Sequence, residues 1–362
     1  MNILIITATD SSFNSLRPDS EIYIGLARQG HNVTIITHGD SEYAQRFRDS
    51  GIETINGHPK RKISLKCIKL IRNLLKNRHF DIVLATNSKS IPNAAFACIG
   101  LPVKFITYRG TTGGLYRHDP SAYLTHLHPR VDGVICVSNA VREDVASHIW
   151  KNKDNVVTIH KGHDLSWYNK SPANLSEFGI TKDDFTVICA VNARPSKGIA
   201  MMIEAGNYLA DIKNLHLLLV GRGMDKEPYK TLIKNNKMKT RIHLTGYRHD
   251  APELIVASDV LVQPSISGEG LPRAMMEAMG YGTPPVITTT GGGKEVIEDG
   301  VTGFVVPVKD PEAIADRVRI LYQQPDLVKA MSERCKEKIH SEFSSKKTVE
   351  NYIKYFESMI KA

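Results

Sequence analysis

Three features of the sequence predict an α/β fold of two parallel-sheet units. Short apolar runs of strand length alternate with helix-period stretches almost from end to end, the pattern of strand–helix–strand units in parallel sheets. At 362 residues the chain exceeds one ordinary core, which predicts two domains. Loops rich in glycine, serine and charge follow the apolar runs, on the side where such sheets bind ligands.

In the first half, Asn2–Thr7 reads as the opening strand. The start M-N-I-L-I-I-T-A-T-D has neither a basic leader region nor a cleavage site, so a cytoplasmic location is expected. The loop T-A-T-D-S-S-F-N-S-L is either a polar turn or a phosphate- or sugar-binding loop through Ser11, Ser12 and Asn14. It has no glycine and is no dinucleotide fingerprint. Asp19–Arg28 has helical spacing ended at Gly30, and Asn32–Thr37 is the second strand. Lys60–His79 reads as a basic amphipathic helix, with Ile63, Cys67, Leu70, Ile71 and Leu74 on one stripe and Lys62, Lys66, Lys69, Arg72 and Lys76 on the rest. Such a helix either packs on the sheet with its charges solvated or lies on an anionic bilayer.

Strands follow at Asp81–Thr86, Val103–Thr107, Gly133–Ser138 and Val156–Ile159. The long stretch from Thr107 to His128 is rich in Gly, Tyr, Arg and His, the composition of a functional loop. Within it, Arg109, Gly110, Arg117, His118 and Asp119 are candidate acceptor-binding or catalytic groups; taken alone, each polar side chain reads first as a loop hydrogen-bonder, and together they point to a site. Gly162–Asp184 is poor in periodic apolar positions and is read as the interdomain linker. The expected domains are residues 1–165 and 166–344, with a final helical segment at 345–362.

The second half opens with the strand Phe185–Val191 and the loop N-A-R-P-S-K-G. Arg194 and Lys197 precede a helix that starts at Gly198, and two cations at a helix N-terminus form a clamp for a diphosphate. Leu215–Val220 ends in the turn Gly221-Arg222-Gly223, and Arg241–Thr245 ends in Gly246. Asp259–Val262 leads into S-I-S-G-E-G-L-P-R-A-M-M-E-A-M-G-Y-G, residues 265–282. Glu269 falls in the strand-to-helix loop, Pro272 at the first helical position, and Glu277 one to two turns into the helix. Carboxylates beside an anion-binding helix end suit a ligand with both phosphate and hydroxyl groups, such as a nucleotide sugar. Pro285–Thr288 then leads to Gly291-Gly292-Gly293 and Glu295, and helices follow at 310–323, 326–340 and 345–360.

Composition narrows the partners. The chain is 41% hydrophobic and 23% charged, with no apolar run near the ~18–20 residues of a membrane span. Its five cysteines are scattered, without disulfide framework or metal spacing. Net charge is +9, and through Leu165 the chain holds 21 Lys and Arg against 14 Asp and Glu. That excess suits an anionic partner for the first half. No aromatic-interleaved basic platform, helix-turn-helix or zinc spacing supports nucleic acid. No D-x-D stands in a suitable loop, so neither an essential metal nor a cofactor is expected.

In order, R-x-x-K-G (Arg194, Lys197, Gly198), V-G-x-G (Val220–Gly223), E-G-L with a second glutamate eight positions on (Glu269–Leu271, Glu277) and the glycines leading to Glu295 resemble the retaining glycosyltransferases of family 4, also called glycosyl transferases group 1. The resemblance extends over nearly the whole chain. It implies the GT-B fold: two Rossmann-like domains facing across a cleft, with the last helix returning to the first domain. It also implies that Arg194 and Lys197 bind the donor diphosphate, Glu269 with Gly270 and Leu271 holds the donor sugar, and Glu277 bonds the ribose hydroxyls. The sugar would pass with retention to a glycan or lipid-linked acceptor, as in bacterial cell-surface polysaccharide or lipopolysaccharide synthesis. Members often carry Gly-Gly after the first strand, where Ser11, Ser12 and Asn14 stand here, and a histidine where Tyr108-Arg109-Gly110 stand. Arg109 is permanently charged and is no base. A nucleotide-sugar epimerase and a non-catalytic binding protein are the competing expectations.

Overall fold

The computed structural model describes residues 1–11 and 13–361; the candidate Ser12 lies outside the described residues. The chain forms two compact units, Met1–Gly162 with Ser345–Ala362, and His163–Ser344.

The first unit runs β1 (Asn2–Ile6), α1 (Phe13–Arg28), β2 (Asn32–Thr37), α2 (Glu42–Asp49), β3 (Glu53–Asn56), α3 (Leu65–Asn77), β4 (Ile82–Ala85), α4 (Ser90–Ala97), β5 (Lys104–Arg109), β6 (Gly133–Cys136), α5 (Asn139–His148) and β7 (Val156–Thr158). Its seven strands are parallel in the order β3-β2-β1-β4-β5-β6-β7. Ile3, Leu4, Ile5 and Ile6 are all buried, because helices cover both faces of such a sheet, so β1 shows no in–out alternation.

The second unit runs β8 (Phe185–Ala190), α6 (Ile199–Tyr208), β9 (Leu215–Val220), α7 (Tyr229–Lys234), β10 (Ile242–Gly246), α8 (Ala251–Val256), β11 (Val260–Gln263), α9 (Arg273–Tyr281), β12 (Pro285–Thr288), β13 (Phe304–Val306), α10 (Pro311–Gln323) and α11 (Pro325–Ser341). Its six parallel strands are ordered β10-β9-β8-β11-β12-β13. One face of this sheet buries Val187, Leu217, Met202 and Val318, and the other buries Ile188, Leu218, Met275 and Cys335.

The final helix α12 (Ser345–Lys361) belongs to the first unit and packs on α1. Gly25 of α1 leaves the space that Val349 of α12 fills: a Cβ there would come within 2.4 Å of Val349 Cγ2. Tyr355 donates to the Asn155 carbonyl at 2.6 Å. Thr348 Oγ1 accepts from Gly162 N–H at 2.8 Å and donates to the His160 carbonyl at 2.9 Å.

Several boundaries differ from the sequence reading. Helix α1 starts at Phe13, not Asp19, so Asn14 lies in its first turn and not in a loop. Pro18 sits inside this helix, where it removes the N–H that would bond the Asn14 carbonyl and crowds that carbonyl with its ring, while Phe13 stacks on Tyr43 at 4.7 Å and anchors the first turn. Helix α3 is shorter than residues 60–79. Ser64 caps it, accepting from Cys67 N–H at 3.4 Å, and Lys60–Ile63 form a loop before it. The buried Asn93 holds that loop, donating to the Arg61 and Lys62 carbonyls and accepting from Ser64 N–H. Residues 163–184, read as a linker, belong to the second unit. There Ala173 N–H donates to the Glu253 carbonyl at 3.0 Å, and Tyr168 packs edge-on to Tyr281 at 4.8 Å.

Candidate functional site

The order of the second sheet reverses between β8 and β11, so the loops leaving these two strands emerge side by side, where open parallel sheets hold ligands. The two loops are fastened together. The Ser196 carbonyl accepts from Ile266 N–H at 2.7 Å and from Ser267 N–H at 3.3 Å. Gly198, with φ +66°, passes so close that a Cβ would stand 1.8 Å from the Pro264 carbonyl oxygen; only glycine fits.

This crossing brings Lys197 to Glu269. Lys197 Nζ donates to Glu269 Oε1 at 2.6 Å, and the carboxylate side chain is 7% exposed. The same oxygen accepts from Ser265 Oγ at 2.5 Å and from Gln263 Nε2 at 3.2 Å. Thr288 Oγ1 in turn donates to the Ser265 carbonyl. A carboxylate oxygen held by an ammonium and two neutral donors is fixed in place and keeps its charge compensated. Arg194 is exposed two residues before this crossing, and among the described residues its guanidinium makes no hydrogen bond or ion pair.

The neighbouring strand end adds a second close approach. Gly221, with φ +144°, passes Val191 so that a Cβ would lie 1.9 Å from the Val191 carbonyl oxygen, and its N–H donates to the Gly246 carbonyl at 2.8 Å. Gly223 completes the turn. Arg222, between the two glycines, lays its guanidinium 4.4 Å from the ring centre of Tyr247. On the other side, the Gly270 carbonyl accepts from Gly292 N–H at 2.7 Å, joining the Glu269 loop to the turn Gly291–Glu295.

Pro272 is the N-cap of α9, with ψ 115°, and the helix proper begins at Arg273; the sequence reading had placed the proline inside the first turn. Glu277 follows one turn later, 17% exposed, with Arg273 Nε 3.5 Å from its Oε1. Burial raises the Glu277 pKa above the usual carboxylate value, and the Arg273 charge opposes that rise. The sequence singled out Arg194, Lys197, Gly198, Gly221, Gly223, Gly246, Gly270, Leu271, Pro272, Glu269 and Glu277. All stand at or beside the carboxyl edge of this sheet. Gln263, Ser265, Arg222 and Tyr247 were not singled out; Gln263, a polar residue ending an apolar strand run, was the one visible signal.

The first-unit candidates do not gather in the same way. Arg109 ends β5 and turns its guanidinium onto the Thr111 and Gly113 carbonyls of its own loop, with Gly110 beside the Tyr108 ring. Arg117 donates to the Ser147, His148 and Ile149 carbonyls. It therefore satisfies the C-terminal end of α5, at the opposite edge of the sheet from the strand carboxyl ends. His118 stacks on Tyr116 at 5.3 Å, which meets His148 of the same helix end edge-on at 6.1 Å. Asn14 is exposed on α1. Among the described residues, no group of three or more His, Cys, Asp or Glu is placed to hold a metal ion, and no helix is long and apolar enough to cross a membrane.

Two such sheets with helices are the architecture of GT-B glycosyltransferases. The crystal structure of Anabaena Alr3699/HepE in complex with UDP matches 99% of this chain and 100% of its own, with TM-score 0.78 and 18% identity. The description "Glycosyltransferase Family 4" matches residues 21–167, and "Glycosyl transferases group 1" matches residues 171–338. The N-acetyl-alpha-D-glucosaminyl L-malate synthase of Bacillus anthracis is 27% identical over 345 residues, 90% of this chain and 89% of that protein. The UDP-Gal:alpha-D-GlcNAc-diphosphoundecaprenol alpha-1,3-galactosyltransferase of Escherichia coli is 25% identical over 303 residues, 79% of this chain and 77% of that protein. The chain belongs to the family 4, group 1 glycosyltransferases, and is related to enzymes of cell-surface polysaccharide synthesis.

Proposed function

We propose that the protein transfers a sugar, with retention of anomeric configuration, from a nucleoside-diphosphate sugar to a glycan or lipid-linked acceptor in cell-surface polysaccharide or lipopolysaccharide synthesis. The observation that carries this reading is the Lys197–Glu269 pair, with its carboxylate buried, beside the unpaired Arg194. Arg194 and Lys197 meet the diphosphate, Glu269 with the Gly270–Leu271 backbone receives the sugar hydroxyls, and Glu277 receives those of the ribose. As the bond from the anomeric carbon to the phosphate oxygen breaks, negative charge gathers on the phosphate, where fixed cations stabilise it. The acceptor oxygen bonds to that carbon from the same face, and its proton passes to the departing phosphate oxygen. No protein base is needed, and the two cations serve without a metal.

Thermal melts with UDP-, GDP- and ADP-sugars identify the donor, since a ligand of the folded state raises the apparent stability. Product NMR then reads the anomeric configuration. Inversion would reject the stereochemical reading, loss of transfer in EDTA would reject the metal-free one, and donor turnover without acceptor would replace transfer by epimerisation.

The first unit is proposed to take the acceptor at an anionic membrane surface. Support comes from the loop before α3 and the start of that helix, where Ile63 and Leu65 are 47% and 73% exposed among Lys60, Arg61, Lys62, Lys66 and Lys69. The apolar stripe of α3 itself is not the contact, because Cys67 and Ile71 are buried. Arg72 is also occupied, donating to the Ala97 and Ile99 carbonyls.

A further inference from the structure

Two histidines unused by the donor-side reading, His38 and His58, stand at the carboxyl edge of the first sheet. His38 follows β2 and His58 follows β3, while Asp10 follows β1 and Asn87 follows β4, so four adjacent strands supply the cluster. The strand order reverses between β1 and β4, which makes this edge a ligand crevice in open parallel sheets. The two ring centroids are 4.4 Å apart.

Hydrogen bonding assigns the proton on each ring. Thr9 N–H donates to His38 Nδ1 at 3.3 Å, so that nitrogen is the acceptor and Nε2 carries the hydrogen. Asn87 Oδ1 accepts from the N–H groups of Lys89 and Ser90 at 3.1 and 2.9 Å. Its amide orientation is thereby set, and Nδ2 is the donor 3.1 Å from His58 Nε2. His58 Nε2 must accept, and Nδ1 carries the hydrogen. Both lone pairs are thus engaged by the protein, and each ring has one N–H left to give. His38 Nε2 lies 3.9 Å from Asp10 Oδ2, beyond hydrogen-bond length, and Asp10 is 64% exposed. His58 Nδ1 has no protein partner among the described residues.

We propose that His38 and His58 form a binding site for an oxyanion, a phosphate or carboxylate group of the molecule that receives the sugar. In this wiring neither ring is a base or a metal ligand, because no nitrogen lone pair is available; the pair offers only donors, and donors recognise anionic oxygens. The titratable groups acting on His58 are His38, Asp10 and Lys89. Burial is the largest cause holding the His58 pKa down to about 4, His38 and Lys89 act in the same direction, and Asp10 opposes them. His58 therefore donates as a neutral imidazole at pH 7. The exposed Asp10 carboxylate marks where the ligand oxygen sits, and the ligand displaces it. Identifying the ligand as the acceptor rests on the transferase reading above; the oxyanion site itself does not.

Long-range 1H–15N spectra of the 15N-labelled protein report each imidazole tautomer. They are to be recorded at pH 7 during titration with inorganic phosphate and, separately, succinate, with His38→Ala and His58→Ala assigning the signals. The expected resting forms are Nε2–H for His38 and Nδ1–H for His58, and both rings shift together as the anion binds. Each alanine variant weakens binding about tenfold, the worth of one charge-assisted hydrogen bond. His58→Asn, whose amide restores an N–H near Nδ1, recovers most of that loss. A response to phosphate alone indicates a phosphate-bearing acceptor, and to succinate alone a carboxylate-bearing one; a response to both supports a general oxyanion site. The opposite tautomers, or no shift at either ring with tens of millimolar of both anions, overturns the proposal without need of any variant. Because binding alone is read, a protein that binds the anion and transfers no sugar sinks the transferase reading and leaves this site standing.

Discussion

Lys197 Nζ stands 2.6 Å from Glu269 Oε1 across 72 positions of sequence. The pair ties the loop after β8 to the loop after β11, so the cation and carboxylate assigned to the donor also hold each other in register. Removing either partner leaves the other poorly compensated in a site where Ser265 and Gln263 already lean on the carboxylate.

Lys197→Met is expected to lower unfolding free energy by about 1–3 kcal/mol, the penalty of a buried polar group losing its partner. Glu269→Gln added to Lys197→Met should recover most of that loss, giving a clear coupling energy in a double-mutant cycle by urea denaturation. Transfer should fall at least about a hundredfold in both single variants. Additive stability effects would refute the coupling, and near-normal transfer in both would refute the donor assignment.

Glu277 gives a pH signature. Its folded-state pKa is raised by burial, so the folded protein holds a proton that the unfolded chain releases. Stability attributable to this group is full below the unfolded-state pKa and declines as pH rises through the raised folded value. Glu277→Gln removes that decline. The variant should gain stability relative to the parent on going from pH 4 to pH 7, read from urea midpoints at constant m-value; parallel pH profiles would rule it out.

Gly198 and Gly246 share nearly the same φ, +66° and +67°, but a Cβ at Gly198 meets the Pro264 carbonyl whereas Gly246 has nothing within 4 Å. Gly246→Ala should therefore cost about 1–2 kcal/mol, the left-handed backbone penalty alone. Gly198→Ala should cost more than this, because the loop must also move away from Pro264. Equal losses in chemical denaturation would show that the crossing is not tight.

Arg117 is expected to act on stability. Three carbonyls at the end of α5 take its donors, so Arg117→Ala should destabilise by about 0.5–1 kcal/mol with the acceptor KM unchanged. A raised acceptor KM at unchanged stability would restore it to the acceptor site.

The exposed loop before α3, with the start of that helix, makes the membrane reading specific. Ile63→Ser with Leu65→Ser should reduce sedimentation with anionic vesicles by about tenfold or more. Lys66→Gln with Lys69→Gln should weaken binding by about 1 kcal/mol per charge at low salt, and less at high salt. Unchanged sedimentation of the Ile63/Leu65 variant would place the contact elsewhere or nowhere.

Most of the fold was legible because its strands are buried on both faces and read as plain apolar runs, as Ile3–Ile6 and Leu215–Val220 do. The β3 segment Glu53–Asn56 was missed because it is an edge strand with both ends exposed, so nothing apolar announces it. Pro18 hid the first turn of α1, since proline inside a helical pattern ordinarily marks a start or a break. In the second sheet the loops are short and the motif residues sit at strand ends, so spacing alone placed them at its carboxyl edge. What spacing cannot show is contact at long range: that Gln263 and Ser265 brace Glu269, that Arg117 reaches a helix end some thirty residues away, or that His38 and His58 share one edge. Each of those depends on which strands become neighbours.

Helix α12 has a consequence for the order in which the molecule is made. Strands β1 to β7 leave the ribosome early, yet the surface of α1 that accepts Val349, and the Asn155 carbonyl that takes the Tyr355 hydroxyl, lack their partners until the last residues are synthesised. The second unit, made in between, needs nothing from either flank of the first to close its own sheet. Translation therefore yields a nascent chain whose later-made unit is complete while the earlier-made one still shows a strip of apolar helix, and a chain that terminates near Phe343 carries that strip permanently.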